Sequence, residues 1–137
     1  MLLEALIAIL IFSIGILAVV GMQSTAIKNV TDAKYRNEAA FLADELSAQM
    51  WTDAGNIASY AYSGTGTVPS RLTAWIGHVN SKLPSAAAVP PIITVAGASS
   101  NGAVVTIQVR WLTPEELNQT PQPPAHNVTL VASVYTS

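Results

Sequence analysis

From Ala5 to Met22 the chain reads ALIAILIFSIGILAVVGM, without a charge and with only Ser13, Gly15 and Gly21 interrupting the apolar series. A helix rises about 1.5 Å per residue, so this run would extend roughly 27 Å, close to the roughly 30 Å hydrocarbon thickness of a bilayer. Eleven of its residues are Leu, Ile, Val or Phe, each worth about -0.3 to -0.6 kcal/mol on the insertion scale, or roughly -3 to -7 kcal/mol together. Residence in lipid follows. The run also explains why the whole chain is 50% hydrophobic and 10% charged, against roughly 25% charge in an ordinary soluble domain. At 137 residues there is room for one small domain and an appendage, and none for a two-domain enzyme around a cofactor cleft.

Three readings of the run compete: a cleavable secretory signal, a plain anchor, and a hydrophobic segment used for assembly. A signal would carry a basic n-region and a small-residue cleavage site, and the flanks of this run supply neither. A plain anchor would leave Glu4, at the start of an otherwise uncharged stretch, without a purpose. Glu4 either snorkels to the headgroups or accepts a cation, the nearest available being the amino terminus of a neighbouring copy. At about 4 Å and an effective dielectric near 20, that pair is worth roughly 4 kcal/mol before desolvation is subtracted. It would set register between subunits.

After Met22, QSTAIKNVTDAKYRNEAAFLADELSAQMW has no Pro or Gly and is rich in good helix formers. One helix is therefore expected from residue 2 to about 52, on the order of 75 Å long, with Asp53 and Gly55 ending it. Gly15 and Gly21 are its soft points. Ala39, Leu42, Ala43, Leu46 and Met50 recur at the spacing of one helical face, which strengthens toward the C-terminal end. The charges of Asp32, Lys34, Arg36, Glu38, Asp44 and Glu45 read as a solvated face without chemistry. The organisation expected is thus 1–23, a membrane-compatible half; 24–53, an amphipathic half of the same helix; and 54–137, a globular head.

Residues 54–68 read as a loop. Ser70 is the expected N-cap of a short helix whose apolar positions are Leu72, Trp75, Ile76, Val79 and Leu83, stopped by Pro84. His78 on that helix has no carboxylate or second histidine near it in sequence, so it reads as a solvated side chain and not as a metal ligand. Residues 85–91 form a linker. Asn101 and Gly102, in the turn Ser99–Gly102 between two apolar runs, give the strongest hairpin signal. Ala103, Val105, Ile107, Val109 and Trp111 share one face of the second strand, and Val128, Leu130, Ala132 and Val134 one face of a third. The fold class is α+β: a long N-terminal helix packed on a small three- or four-stranded antiparallel sheet. Thr113, Pro114 and Glu116 have capping-box spacing, which accounts for the adjacent carboxylates Glu115 and Glu116. Pro121, Pro123 and Pro124 stiffen an exposed loop.

No phosphate loop, nucleophile elbow or paired-histidine zinc motif occurs, and no cysteine is present to supply a disulfide framework, a thiolate cluster or a nucleophile. The expectation is no enzyme, no catalytic residue, no metal and no cofactor. The N-x-T triplets at Asn29, Asn118 and Asn127 carry no weight. With a net charge of -2, and Arg71, Lys82 and Arg110 the only basic residues beyond Asp53, nucleic acid is not an expected partner of one subunit.

The string LLEALIAILIFSIGILAVVGMQ at residues 2–23 resembles the N-terminal region of type IV pilins, and within that superfamily most resembles minor pilins of the PilV, or pilus-modification, type. The resemblance covers roughly the first fifty residues. Leu2, Leu3 and Glu4 match the apolar pair and the glutamate of the family. By resemblance, Glu4 pairs with a neighbour's amino terminus, and Leu2, Leu3, Leu6, Ile7, Leu10, Ile14 and Leu17 belong to the helix of a filament core. It implies a short basic leader ending in glycine upstream of Met1, cut by prepilin peptidase, and methylation of the new amino terminus. It further implies single-pass insertion in inner-membrane lipid with the head in the periplasm, and later incorporation into an extracellular pilus of the kind used in adhesion and twitching motility. Other pilins, minor pilins and the inner-membrane assembly platform are the implied partners. Two departures stand out: the proline that kinks many major pilins is missing, and no cysteine pair closes the region before the last strand. A minor pseudopilin of a type II secretion system shares the N-terminal string, and a membrane-anchored module for a ligand or DNA is the alternative from another class.

Overall fold

A computed structural model describes residues 1–99 and 101–135; the expected turn thus includes Ser100, which lies outside the described residues. Two compact units emerge, residues 1–34 and residues 35–137. Helix α1, Leu2–Thr52, accounts for all of the first unit after Met1 and for the start of the second. Within its apolar half Ser13 donates from Oγ to the Ile9 carbonyl at 2.7 Å, so the one hydroxyl in the run needs no outside acceptor.

In the second unit the helical stripe is the floor of the core. Ala39, Leu42, Ala43, Leu46 and Met50 are the buried residues of α1, the same five that the 3.6-residue period selects. Helix α2, Thr73–Lys82, contributes Trp75 and Val79. The sheet is antiparallel and three-stranded in the order β1-β2-β3, with β1 at Ile92–Ser99, β2 at Gly102–Trp111 and β3 at His126–Val134. Val105, Ile107 and Val109 of the central strand are wholly buried in the same apolar cluster. The β2–β3 register runs without a shift from Ala103↔Val134 to Trp111↔His126. Gly102, at φ +127°, brings its backbone so near β3 that an added Cβ would lie 2.2 Å from the Val134 carbonyl oxygen, so no other residue fits that place.

Two local expectations are corrected. Residues 54–68 are not all loop: Ala54–Tyr60 forms a 3-10 segment that buries Ile57 and Tyr60, whose three-residue spacing suits that tighter helix. Ser70 does not cap α2. It lies inside a 3-10 turn, Ser70–Leu72, which feeds directly into α2, and the preceding Pro69 carbonyl accepts from the Leu72 amide at 2.9 Å. The capping box does form, on the short helix α3, Pro114–Leu117: the Thr113 amide donates to Glu116 Oε2 at 2.8 Å and the Glu116 amide to Thr113 Oγ1 at 3.3 Å.

Candidate functional site

The apolar half of α1 is the candidate. Leu2, Leu3, Leu6, Ile7, Leu10, Ile14 and Leu17 are all exposed, from 49% at Ile7 to 84% at Leu2. Leu3, Ile7, Leu10, Ile14 and Leu17 follow one another at alternating steps of four and three, which places them along one side of the helix. Ile9, Phe12, Ile16 and Val20 are exposed as well, so the apolar surface extends around the whole circumference. A helix hydrophobic all round requires a lipid or protein environment. Among the described residues this is the one helix long and apolar enough to cross a membrane, and no part of its apolar window is buried by the chain itself.

Glu4 lies in the first turn of α1, where a carboxylate complements the partial positive charge of the helix end. It is exposed, and among the described residues it has no hydrogen-bond or ion-pair partner. Gly15 and Gly21 sit within the helix with nothing of the chain within 4 Å of where a Cβ would stand. Among the described residues no contact explains either glycine, and Gly15 lies in a shallow surface groove bounded by Phe12, Ile16, Val19, Val20 and Gln23.

The head's polar groups are occupied differently. Asp53, just past α1, accepts from Asn56 Nδ2 at 2.7 Å, from Tyr60 Oη at 3.0 Å and from Arg71 Nη1. The Asn56 bond foremost, then those from Tyr60 and Arg71, holds the Asp53 carboxyl below the usual carboxylate range against a partial desolvation. Burial, and then the bond to Asp53, pushes the Tyr60 phenol up. Gln49 Nε2 donates to the Arg71 carbonyl at 3.2 Å, closing the network back onto α1. His78 Nδ1 lies 3.1 Å from Glu45 Oε2, and His126 Nε2 2.9 Å from Glu116 Oε1. The His126 ring also stacks on Trp111, with centroids 5.6 Å apart. Glu116 is held below the usual range by the Thr113 amide first, then by His126 and the Thr113 hydroxyl.

His78, read as a surface side chain with no carboxylate near it in sequence, remains partly exposed and gains one through the fold: Glu45 comes to it from a position 33 residues away. Glu45 and Glu38, read as charges on a solvated face, face α2, with Lys82 Nζ 3.9 Å from Glu38. Helical phase was the available signal, since residues 38, 42 and 45 share a side of α1. All three basic residues of the head meet acceptors of their own chain, Arg71 at Asp53, Lys82 at Glu38 and Arg110 at the Pro90 carbonyl, 2.9 Å from its Nε. Among the described residues no group of three or more His, Asp or Glu side chains is disposed to hold a metal ion. In comparisons with known proteins, no family model, no curated protein and no solved structure matches this chain.

Proposed function

We propose that this chain is a minor subunit of a type IV pilus, held in the inner membrane by the apolar half of α1 and later packed by that half into a filament core. The observation that carries the reading is the contrast within one helix. Residues 39–50 bury their apolar stripe in the chain's own head, whereas residues 2–22 bury nothing and carry Glu4 as their one charge. The α+β layout, with its long N-terminal helix and three-stranded antiparallel sheet, is compatible with a pilin.

The mechanism is packing plus one ion pair. While the helix lies in lipid, Glu4 sits at the membrane edge and remains hydrated. When helices gather, the amino terminus of a neighbour becomes its counterion, and the pair fixes how far one subunit stands along the next. Steps of Leu3, Ile7, Leu10, Ile14 and Leu17 then lock side chain against side chain. The engagement of Arg71, Lys82 and Arg110 within the head supports leaving nucleic acid out of the role of a single subunit.

Glu4→Ala in the full chain tests this reading. The variant is expected at its normal level in the inner membrane but depleted in sheared pili. If only ~1.4 kcal/mol of the pair survives desolvation, the depletion is about tenfold. Undiminished incorporation would reduce the helix to a simple anchor.

A further inference from the structure

The two edges of the sheet are finished differently. Strand β1 is closed to a newcomer by several means. Pro90 and Pro91 precede it, and Tyr62 occupies both backbone groups of Ile93, donating its amide at 2.9 Å and accepting at 2.8 Å. Further along, the register slips between Ala96 and Ser99, with Gly97 at φ +65°. Prolines, a bulge and a covering segment are the means by which proteins keep a sheet edge from recruiting another strand.

Strand β3 has none of them. HNVTLVASV contains no proline, no Lys, Arg, Asp or Glu, and no glycine. Its pairing with β2 is regular over its whole length, and among the described residues no strand or bridge meets its far side. Its core-facing Val128, Leu130 and Ala132 remain only half-buried, whereas Val105, Ile107 and Val109 on β2 are fully covered. An open, regularly paired edge free of Lys, Arg, Asp and Glu, with unfinished apolar burial, is a site for one more strand.

We propose that two copies of this chain pair through β3, strand against strand and antiparallel, to make one sheet that runs through both. A second copy is the occupant because the edge matches itself. Apart from His126, whose ring is held by Glu116 at the start of the strand, it carries no acidic or basic side chain to repel its twin, and its Val-rich alternation suits pairing with the same sequence. The closed β1 edge limits the process. With one open edge per chain, the contact is isologous and stops at two copies, without extending into an open sheet. This inference is independent of the pilus assignment, because it concerns only the head's own edge and is tested without any other pilus component.

The chain's lack of cysteine makes the test direct. Full-length protein in detergent micelles carries one introduced cysteine at a time and is treated with a short bismaleimide. Thr129→Cys and Val131→Cys, at exposed positions on β3, are expected to give cross-linked dimers; Thr94→Cys, exposed on β1, is not. Light scattering of the wild type should give two chains per micelle. The double variant Thr129→Lys with Val131→Lys should weaken dimerisation roughly tenfold or more by placing like charges across the joint. At a protein concentration low enough for the wild type to be monomeric, its head should unfold at an unchanged denaturant midpoint, since both side chains are exposed. If the lysine variant does not fold, the contrast between cysteines on β3 and β1 still decides. A monomeric wild type, equal cross-linking from Thr94 and Thr129, or a dimer indifferent to the lysines would overturn the proposal. Cross-linking of Thr129→Cys to a different protein in native membranes, with the purified chain monomeric, would also overturn it and give the edge to a foreign strand.

Discussion

Residues 2–22 and residues 39–50 are turns of one helix, built from the same backbone bonds and with side chains equally able to pack. Between Ala39 and Met50 the apolar residues occupy a stripe, and the sheet and α2 close over it. Between Leu2 and Met22 they occupy the whole circumference, and among the described residues nothing covers them. Residues 39–50 are therefore stabilised by the fold they belong to, whereas the apolar surface of residues 2–22 calls for a neighbour outside the described residues. A stripe is satisfied by one neighbour; a full cylinder requires a solvent or a bundle.

The comparison breaks most readily at Leu46. Leu46→Ala leaves a cavity at a fully buried position and should cost the head about 2–5 kcal/mol, measured by urea unfolding of the full chain in detergent. Leu10→Ala, at a position 60% exposed, should move that midpoint by no more than about 0.5 kcal/mol. Equal losses at the two sites would show that the apolar half also packs on its own chain.

A smaller effect separates the halves by pH. Asp53 and Glu116 are held in the folded head below the usual carboxylate range. Their contribution is therefore complete above about pH 4–5 and lost as the pH falls through the depressed folded values. Asp53→Asn combined with Glu116→Gln should flatten the acid limb of a plot of head unfolding midpoint against pH. An unchanged acid limb would remove both networks from the account of head stability. On the alkaline side the raised Tyr60 phenol adds stability that is complete below about pH 10 and lost as the pH rises through its folded value.

Smallest of all is Gly15→Ala. Because none of the described residues stands near that position, the added methyl should leave head unfolding unchanged and favour the helix by about 0.5–1 kcal/mol. Under the pilus role proposed above, the informative readout is incorporation into pili. A loss there, without a loss in membrane level, would mean that another helix passes close to Gly15; normal incorporation would mean that none does.

The parts of the fold legible in the sequence are those written by a period or a turn. The stripe from Ala39 to Met50 follows the helical repeat, Asn101–Gly102 marks the joint between β1 and β2, and the alternation from Ala103 to Trp111 separates the buried face of β2 from its outer face. Thr113 and Glu116 declare their capping box because both partners lie within one helical turn. The Glu45–His78 and Glu116–His126 pairs were not legible, because each joins elements whose approach depends on the whole fold. The 3-10 segment at Ala54–Tyr60 was missed for a different reason: Gly55, Asn56 and Ser59 have the composition of a loop, and burial of Ile57 and Tyr60 outweighs it. In the candidate site, the apolar cylinder and its single acid were plain from residue types alone. The difference between the two sheet edges was not, since it depends on which strand Tyr62 reaches.

The indole of Trp75 donates from Nε1 to the main-chain oxygen of Leu42 at 2.9 Å, in the C-terminal part of α1. This bond acts as a key in a shaft. Turning the helix by one residue's worth of rotation, about 100°, would swing that oxygen out of the indole's reach. The azimuth of this stretch is thereby indexed, and Phe41, one residue earlier and 62% exposed, is pointed outward like the hand of a dial.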